Sequence, residues 1–91
     1  MSVTVRVPTQ LRQLTGEARE VTAPPGALRD VIASLDSAHP GIRARILDEN
    51  EKLRRFVMLF VDDEDARLLG GLDAVVLDGQ TLSIVPAVAG G

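Results

Sequence analysis

The sequence predicts a two-layer α+β domain, with one amphipathic helix packed on one face of a sheet. Three observations predict it. Val3, Val5 and Val7 alternate with Ser2, Thr4 and Arg6, the period of a half-buried strand. Leu28, Val31, Ile32 and Leu35 then fall at i, i+3, i+4 and i+7, a single apolar helix stripe. Two further strand signals follow, an unbroken apolar run over residues 56–61 and a second alternation over residues 81–85. A helix with one apolar stripe must bury it, and a sheet face supplies the surface.

Taken in order, the first strand ends at Pro8, and Leu11 and Leu14 lie in a loop that tucks under the sheet. Gly16 marks a turn into a short strand over residues 19–23 centred on Val21, which forms a hairpin with the first. Pro24-Pro25-Gly26 breaks the pattern, and the helix covers residues 27–38, stopping before Pro40 and Gly41. Ala27 stands where a Ser, Thr or Asp cap is expected, although Asp30 in the first turn suits the helix dipole. Ile42, Ile46 and Leu47 suggest a second short helical turn, and residues 48–55 read as a charged, solvated loop.

The run over residues 56–61 implies a strand covered on both faces. Val57, Leu59 and Val61 are assigned to the core, and Phe56, Met58 and Phe60 to the opposite face. An acidic turn over residues 62–65 follows, then a brief strand over residues 66–69, a break at Gly70-Gly71 and an irregular apolar stretch over residues 72–77. Asp78-Gly79 is a hairpin-type turn signal. Leu82 and Ile84 share one face of the last strand, and Pro86 stops it. The domain is therefore placed at residues 1–85, with a flexible C-terminal tail over residues 86–91.

Composition narrows the chemistry. The 91 residues include no cysteine, so there is no side-chain thiol for a disulfide, a zinc thiolate, a nucleophile or a persulfide. His39 is the sole histidine, which removes a multi-histidine metal site. The formal charge of −3 and the two aromatic residues argue against nucleic acid. No apolar stretch approaches the ~20 residues of a membrane span, and the expectation is a soluble, cytoplasmic protein without a membrane partner.

Several features invite a chemical reading. The carboxylates of Asp62, Asp63, Glu64 and Asp65 are adjacent along an extended chain, converge poorly, and lack the layout of a calcium loop, so no metal is assigned. His39 is read as a helix-terminal residue rather than a general base, because no Ser or Asp can be tied to it. Gly70-Gly71 lacks phosphate-loop spacing and reads as a turn. Phe56, Met58 and Phe60 form a candidate partner surface, since exposed apolar patches commonly mark interfaces.

The C-terminal end is the most informative. From Pro86 the chain runs through Ala87, Val88 and Ala89 to Gly90 and Gly91. Glycines thread narrow channels and let another backbone approach closely. A terminal carboxylate is anionic at neutral pH and a poor electrophile, so acyl transfer from it first requires activation, for instance adenylation.

Residues 77–91, with an Asp78-Gly79 turn, an alternating strand, Pro86 and a glycine pair, resemble the ending of ubiquitin-like sulfur carrier proteins of the ThiS/MoaD superfamily. The resemblance extends to the first strand with Pro8-Thr9 after it, to Pro25-Gly26-Ala27-Leu28 at the helix entry, and to Arg55-Phe56-Val57 leading to Val61-Asp62-Asp63-Glu64-Asp65. The ending Pro86-Ala87-Val88-Ala89-Gly90-Gly91 is especially similar to the actinobacterial CysO-type subgroup, which serves cysteine biosynthesis.

The resemblance implies a β-grasp fold, a mixed sheet with one main helix on one face. It implies that an ATP-dependent adenylating enzyme of the ubiquitin-activating type converts Gly91 to a thiocarboxylate. The tail, Pro86, Ala87, Val88, Ala89 and Gly90, would thread into the partner, and Phe56, Met58 and Phe60 would meet the activating enzyme. The carrier itself would be no enzyme and bind no cofactor. Its sulfur-accepting partner would be a biosynthetic enzyme, such as a pyridoxal-phosphate-dependent cysteine synthase or a thiosugar synthase. A metalloprotease would release product in the cysteine pathway. The same resemblance leaves open the small subunit of molybdopterin synthase, and a ubiquitin-like protein conjugated through Gly91 to lysine. Two departures stand out: Ala27 for the usual Ser or Thr helix cap, and Gln80 for a frequent acidic residue.

Overall fold

A computed structural model describes residues 1–86. Strands β1 (Val3–Arg6), β2 (Glu20–Ala23), β4 (Val57–Val61), β5 (Glu64–Asp65) and β7 (Thr81–Pro86) form one sheet in the order β2-β1-β7-β4-β5. β1 and β7 run parallel, and the other neighbours antiparallel, so the sheet is mixed. Helix α1 (Leu28–Ala38) covers one face, with the short α2 (Ile42–Ile46) beside it. Two two-residue strands, β3 (Gly26–Ala27) and β6 (Val75–Val76), pair with each other outside the main sheet.

The core is the one the periodicity predicts. Val3, Val5 and Val7, the stripe Leu28, Val31, Ile32 and Leu35, and Val57, Leu59, Val61, Leu82 and Ile84 are all buried in one cluster. Leu11 is buried as well, although its segment Thr9–Thr15 is a 3₁₀-helix rather than a loop. Ile42 and Ile46 are fully buried, and Asp36 caps α2 by accepting the Gly41 and Arg43 N–H groups at 3.1 Å each.

Several expectations fail at the edges of elements. Residues 66–69, read as a strand, form a 3₁₀-helix, because the Asp65 carboxylate caps it by accepting the Arg67 N–H at 2.9 Å. Glu64 and Asp65, read as part of a turn, double back as β5 on Val61 and Phe60. Asp78-Gly79 does not join a hairpin: the strands it separates belong to different sheets. Gly79 adopts φ 88° and donates to the Ser2 carbonyl, while the Asp78 carboxylate accepts the Ser2 N–H at 2.8 Å. Residues 48–55 are less open than a solvated loop, since Leu53 bridges to Leu47 and packs on the core. The Lys52 N–H bonded to Asp48 holds its carboxyl below the usual carboxylate range, with Asn50, Arg54 and Lys52 charge or dipole adding to the effect and desolvation opposing it. The strand at residues 57–61 is buried on one face and only half-buried on the other, where Met58 and Phe60 lie, rather than covered on both.

Both departures from the family pattern acquire a reason. The Leu28 N–H, with no side-chain cap at Ala27, donates to the Ala74 carbonyl at 2.8 Å, so a tertiary contact beside the β3–β6 pair serves as the cap. Gln80 links two segments: its amide N–H donates to Asp62 Oδ2 at 3.0 Å and its carbonyl accepts the Leu77 N–H at 2.8 Å. An acidic residue there lacks the donor and places a second negative charge against Asp62.

Asp62 itself sits at φ 54°, its Oδ1 accepts the Thr81 N–H at 3.0 Å, and its own N–H donates to the Thr81 carbonyl at 2.7 Å. This clamp ties the end of β4 to the start of β7. Asp62→Ala removes both side-chain acceptors and leaves an alanine in the left-handed region, so it is expected to destabilise the domain by about 1–2 kcal/mol in urea unfolding. An unchanged midpoint would show that the clamp contributes nothing.

Candidate functional site: the open sheet face and the tail root

Alternation along β4 sends Val57, Leu59 and Val61 into the core, and so turns Met58 and Phe60 to the face opposite α1. Antiparallel pairing with β7 sets Met58 across from Val85 and Phe60 across from Ser83. Directly opposed residues share a face, so Met58 and Val85 form one cross-strand apolar pair. Val85 is 43% exposed, and Met58 and Phe60 are half-buried. Towards β1 the same face becomes polar, with Thr81, Ser83, Thr4 and Arg6 side by side in the register.

Phe56 lies outside the strand to which the sequence reading assigned it. Residues 54–57 make a tight turn closed by the Val57 N–H on the Arg54 carbonyl at 3.2 Å. Phe56 stands at its corner and is 52% exposed. The turn adjoins the place where the tail begins, because Val57 pairs with Pro86.

Pro86 is therefore the last residue of β7 rather than the first of the tail. Proline is tolerated there because a strand end requires no further ladder donor. The remaining predicted tail residues, Ala87, Val88, Ala89, Gly90 and Gly91, lie outside the described residues. Two residues of this surface escaped the sequence reading. Val85 was visible as the outward partner of Ile84 in the final alternation, but only the register brings it against Met58. Arg55, at the other corner of the turn beside Phe56, had been absorbed into a charged loop.

The other candidates do not converge. His39 ends α1, with its N–H bonded to the Leu35 carbonyl at 2.7 Å. Among the described residues no three His, Asp or Glu side chains are grouped as metal ligands. None of the described helices is long and apolar enough to cross a membrane. A cleft of about 760 Å³ between Asp36, Arg43, Asp48 and Arg54 is lined by charges of both signs.

A mixed β-grasp sheet that presents an apolar strip beside the root of a Gly-Gly ending defines a ubiquitin-like carrier scaffold, and comparison with known proteins places it: the chain belongs to the ThiS family, whose sequence profile matches residues 5–91. It is 45% identical to the sulfur carrier protein CysO of Mycobacterium tuberculosis, in an alignment covering 100% of both chains. A chain in the crystal structure of the Amycolatopsis orientalis BexX/CysO complex superposes with a TM-score of 0.92 at 50% identity, over 98% of this chain and 99% of the other. The crystal structure of Mycobacterium tuberculosis CysO superposes with a TM-score of 0.90 at 43% identity, over 94% and 99%. The β-grasp fold and the sulfur-carrier reading made from the sequence agree with these relatives.

Proposed function

We propose that this protein carries sulfur as a C-terminal thiocarboxylate on Gly91 and delivers it to a biosynthetic enzyme, in the manner of the CysO carriers. The observation that carries the reading is the full-length match to sulfur carriers, which extends through the Gly-Gly ending. In the first step the Gly91 carboxylate attacks the α-phosphorus of ATP on an activating enzyme, forming the acyl adenylate and releasing pyrophosphate. A sulfur nucleophile then attacks the acyl carbon; the C–S bond forms as the C–O bond to AMP breaks. Sulfide gives the thiocarboxylate directly, whereas a persulfide donor needs reductive release of the sulfur.

The domain contributes position and exposure, and the catalytic groups belong to its partners. The sheet face at Phe56, Met58, Phe60 and Val85 supplies the docking surface, and β7 aims the tail. Binding by another protein has a precedent in the BexX/CysO complex, which contains a carrier 50% identical to this chain. Cysteine synthesis is the favoured destination, on the likeness to CysO.

Intact-mass analysis after incubation with the cognate adenylating enzyme, ATP and sulfide should show one oxygen exchanged for sulfur. No exchange with an enzyme proven active on another carrier would overturn the reading. Phe56→Ala tests the docking surface. It removes an exposed ring from a turn, so folding is expected to change little, while the KM for the carrier in pyrophosphate exchange rises about 10-fold. An unaltered KM would remove Phe56 from the interface.

A further inference from the structure

The turn that carries Phe56 also gathers positive charge. Arg54 Nε donates to the Ala44 carbonyl at 2.9 Å, and Arg67 Nη2 donates to the Arg54 carbonyl at 2.9 Å. Both guanidinium groups are anchored to main-chain carbonyls, and neither has a carboxylate within ion-pair distance among the described residues. Arg55 occupies the corner next to Phe56, is exposed, and makes no hydrogen bond or ion pair among the described residues. The three ion pairs that the described residues do form, Arg6–Glu20, Arg29–Asp73 and Arg43–Glu51, use other arginines. An acidic chain of net charge −3 thus gathers three arginines at one corner without a direct ion pair among the described residues, Arg54 feeling the Asp48 carboxylate only at longer range and Arg55 having no partner.

The corner's position matters more than its charge. It lies at the start of β4, beside the Val57–Pro86 pair from which the tail departs. The exposed carboxylates of Asp62, Asp63 and Glu64 lie at the opposite end of β4, roughly 13 Å away along a five-residue strand. The surroundings of β4 are therefore polarised along its length, positive at the tail root and negative at the far end, with the apolar strip between. An apolar strip alone permits docking in either direction, and only one direction delivers the tail. Charges at the two ends distinguish them, because like-charge juxtaposition is costly and complementary charge steers the encounter.

We propose that Arg55, supported by Arg54 and Arg67, is an orienting contact for the adenylating enzyme that receives the tail, and that this enzyme presents carboxylates to the corner. The inference rests on the carrier reading above. A polyphosphate or nucleic acid fits the surface less well, since the corner is small, borders an apolar strip and faces an acidic end.

The test is pyrophosphate exchange by the cognate adenylating enzyme at varied carrier concentration, for wild type, Arg55→Glu, Arg55→Lys and Arg45→Glu. Arg45 is exposed on α2, in the helical layer, so its reversal changes net charge equally; it adjoins the Ala44 carbonyl that holds Arg54 but makes no hydrogen bond or ion pair with Arg55 among the described residues. Arg55→Glu is expected to raise KM about 10-fold at low salt with kcat unchanged, and the difference should shrink to about twofold near 0.5 M salt. Arg55→Lys, which keeps the charge, should stay within about twofold of wild type, and Arg45→Glu should match wild type. An unaltered KM for Arg55→Glu, a defect insensitive to salt, or an equal defect in Arg45→Glu would overturn the proposal. Circular dichroism separates any of these from misfolding, and Arg55→Gln, which removes the charge without reversing it, should raise KM about threefold at low salt if Arg55→Glu does not fold, an unaltered KM overturning the proposal. Absence of exchange with wild type would be different: that result overturns the carrier reading itself.

Discussion

Deleting Gly91 is expected to abolish the oxygen-to-sulfur mass change completely while leaving the domain folded. The separation follows from where the residue stands. The core cluster draws on β1, α1, α2, β4 and β7, and β7 ends at Pro86, five residues earlier. Substitutions away from the core and its hydrogen bonds typically alter stability by less than about 0.5 kcal/mol. In the proposed reaction, by contrast, the acceptor of the adenylate is the Gly91 carboxylate itself. Shortening the chain leaves Gly90 as the end and withdraws the reacting group from the activating site. Gly91→Ala is the finer test. It keeps the length and adds one methyl group next to the reacting carbon, where a displacement of about 1 Å can cost on the order of 100-fold in rate. The expected result is a native thermal midpoint with kcat/KM for adenylation lower by about that factor. Equal rates for wild type and Gly91→Ala would show that the activating site tolerates a side chain.

The second large effect is on stability. Leu59 is fully buried at the middle of β4, whose neighbours in the sheet are β7 and β5. Leu59→Ala removes apolar volume that no neighbouring loop can refill, so the lost transfer energy and the cavity add. A loss of about 3 kcal/mol is expected, which for a domain of this size lowers the melting temperature by roughly 12–24 °C. Chemical unfolding with an unchanged m-value checks it. A loss under about 1 kcal/mol would mean that the layers close over the gap. Because Leu59 faces the core and not the surface that carries Met58 and Phe60, sulfur loading should fall only as far as the folded fraction does.

Most of the core was legible because side-chain period is a local property. The alternation at Val3, Val5 and Val7 and the stripe through Leu35 need no knowledge of what they pack against. The polar connections were harder. Ala27 looks uncapped until the Ala74 carbonyl is brought to Leu28, 46 residues earlier in the chain. Gln80 looks like a deviation until Asp62 is found opposite it. Residues 66–69 carry apolar residues that suit a strand, and a single hydrogen bond from the Arg67 N–H to Asp65 tips them into a 3₁₀-helix.

The candidate site divides the same way. The Gly-Gly ending and the outward-facing Met58 and Phe60 were readable from composition and alternation. Phe56 was assigned to the strand but stands in the turn ahead of it, since the turn closed by Val57 on Arg54 depends on main-chain geometry. Val85 met Met58 only with the β4–β7 register, and Arg55 took its corner only with the turn ahead of β4.

By itself, the sequence determined the α+β class, the buried face of each main element and, through its likeness to sulfur carriers, the chemistry expected at Gly91. Tertiary structure alone decided that the last strand lies between β1 and β4, and therefore that the basic corner and the tail root meet at one end of the β4–β7 pair that carries the apolar strip. The reason is physical: periodicity reports how a residue is oriented on its own element, whereas strand order and register follow from contacts between residues distant in the chain, which no local pattern encodes.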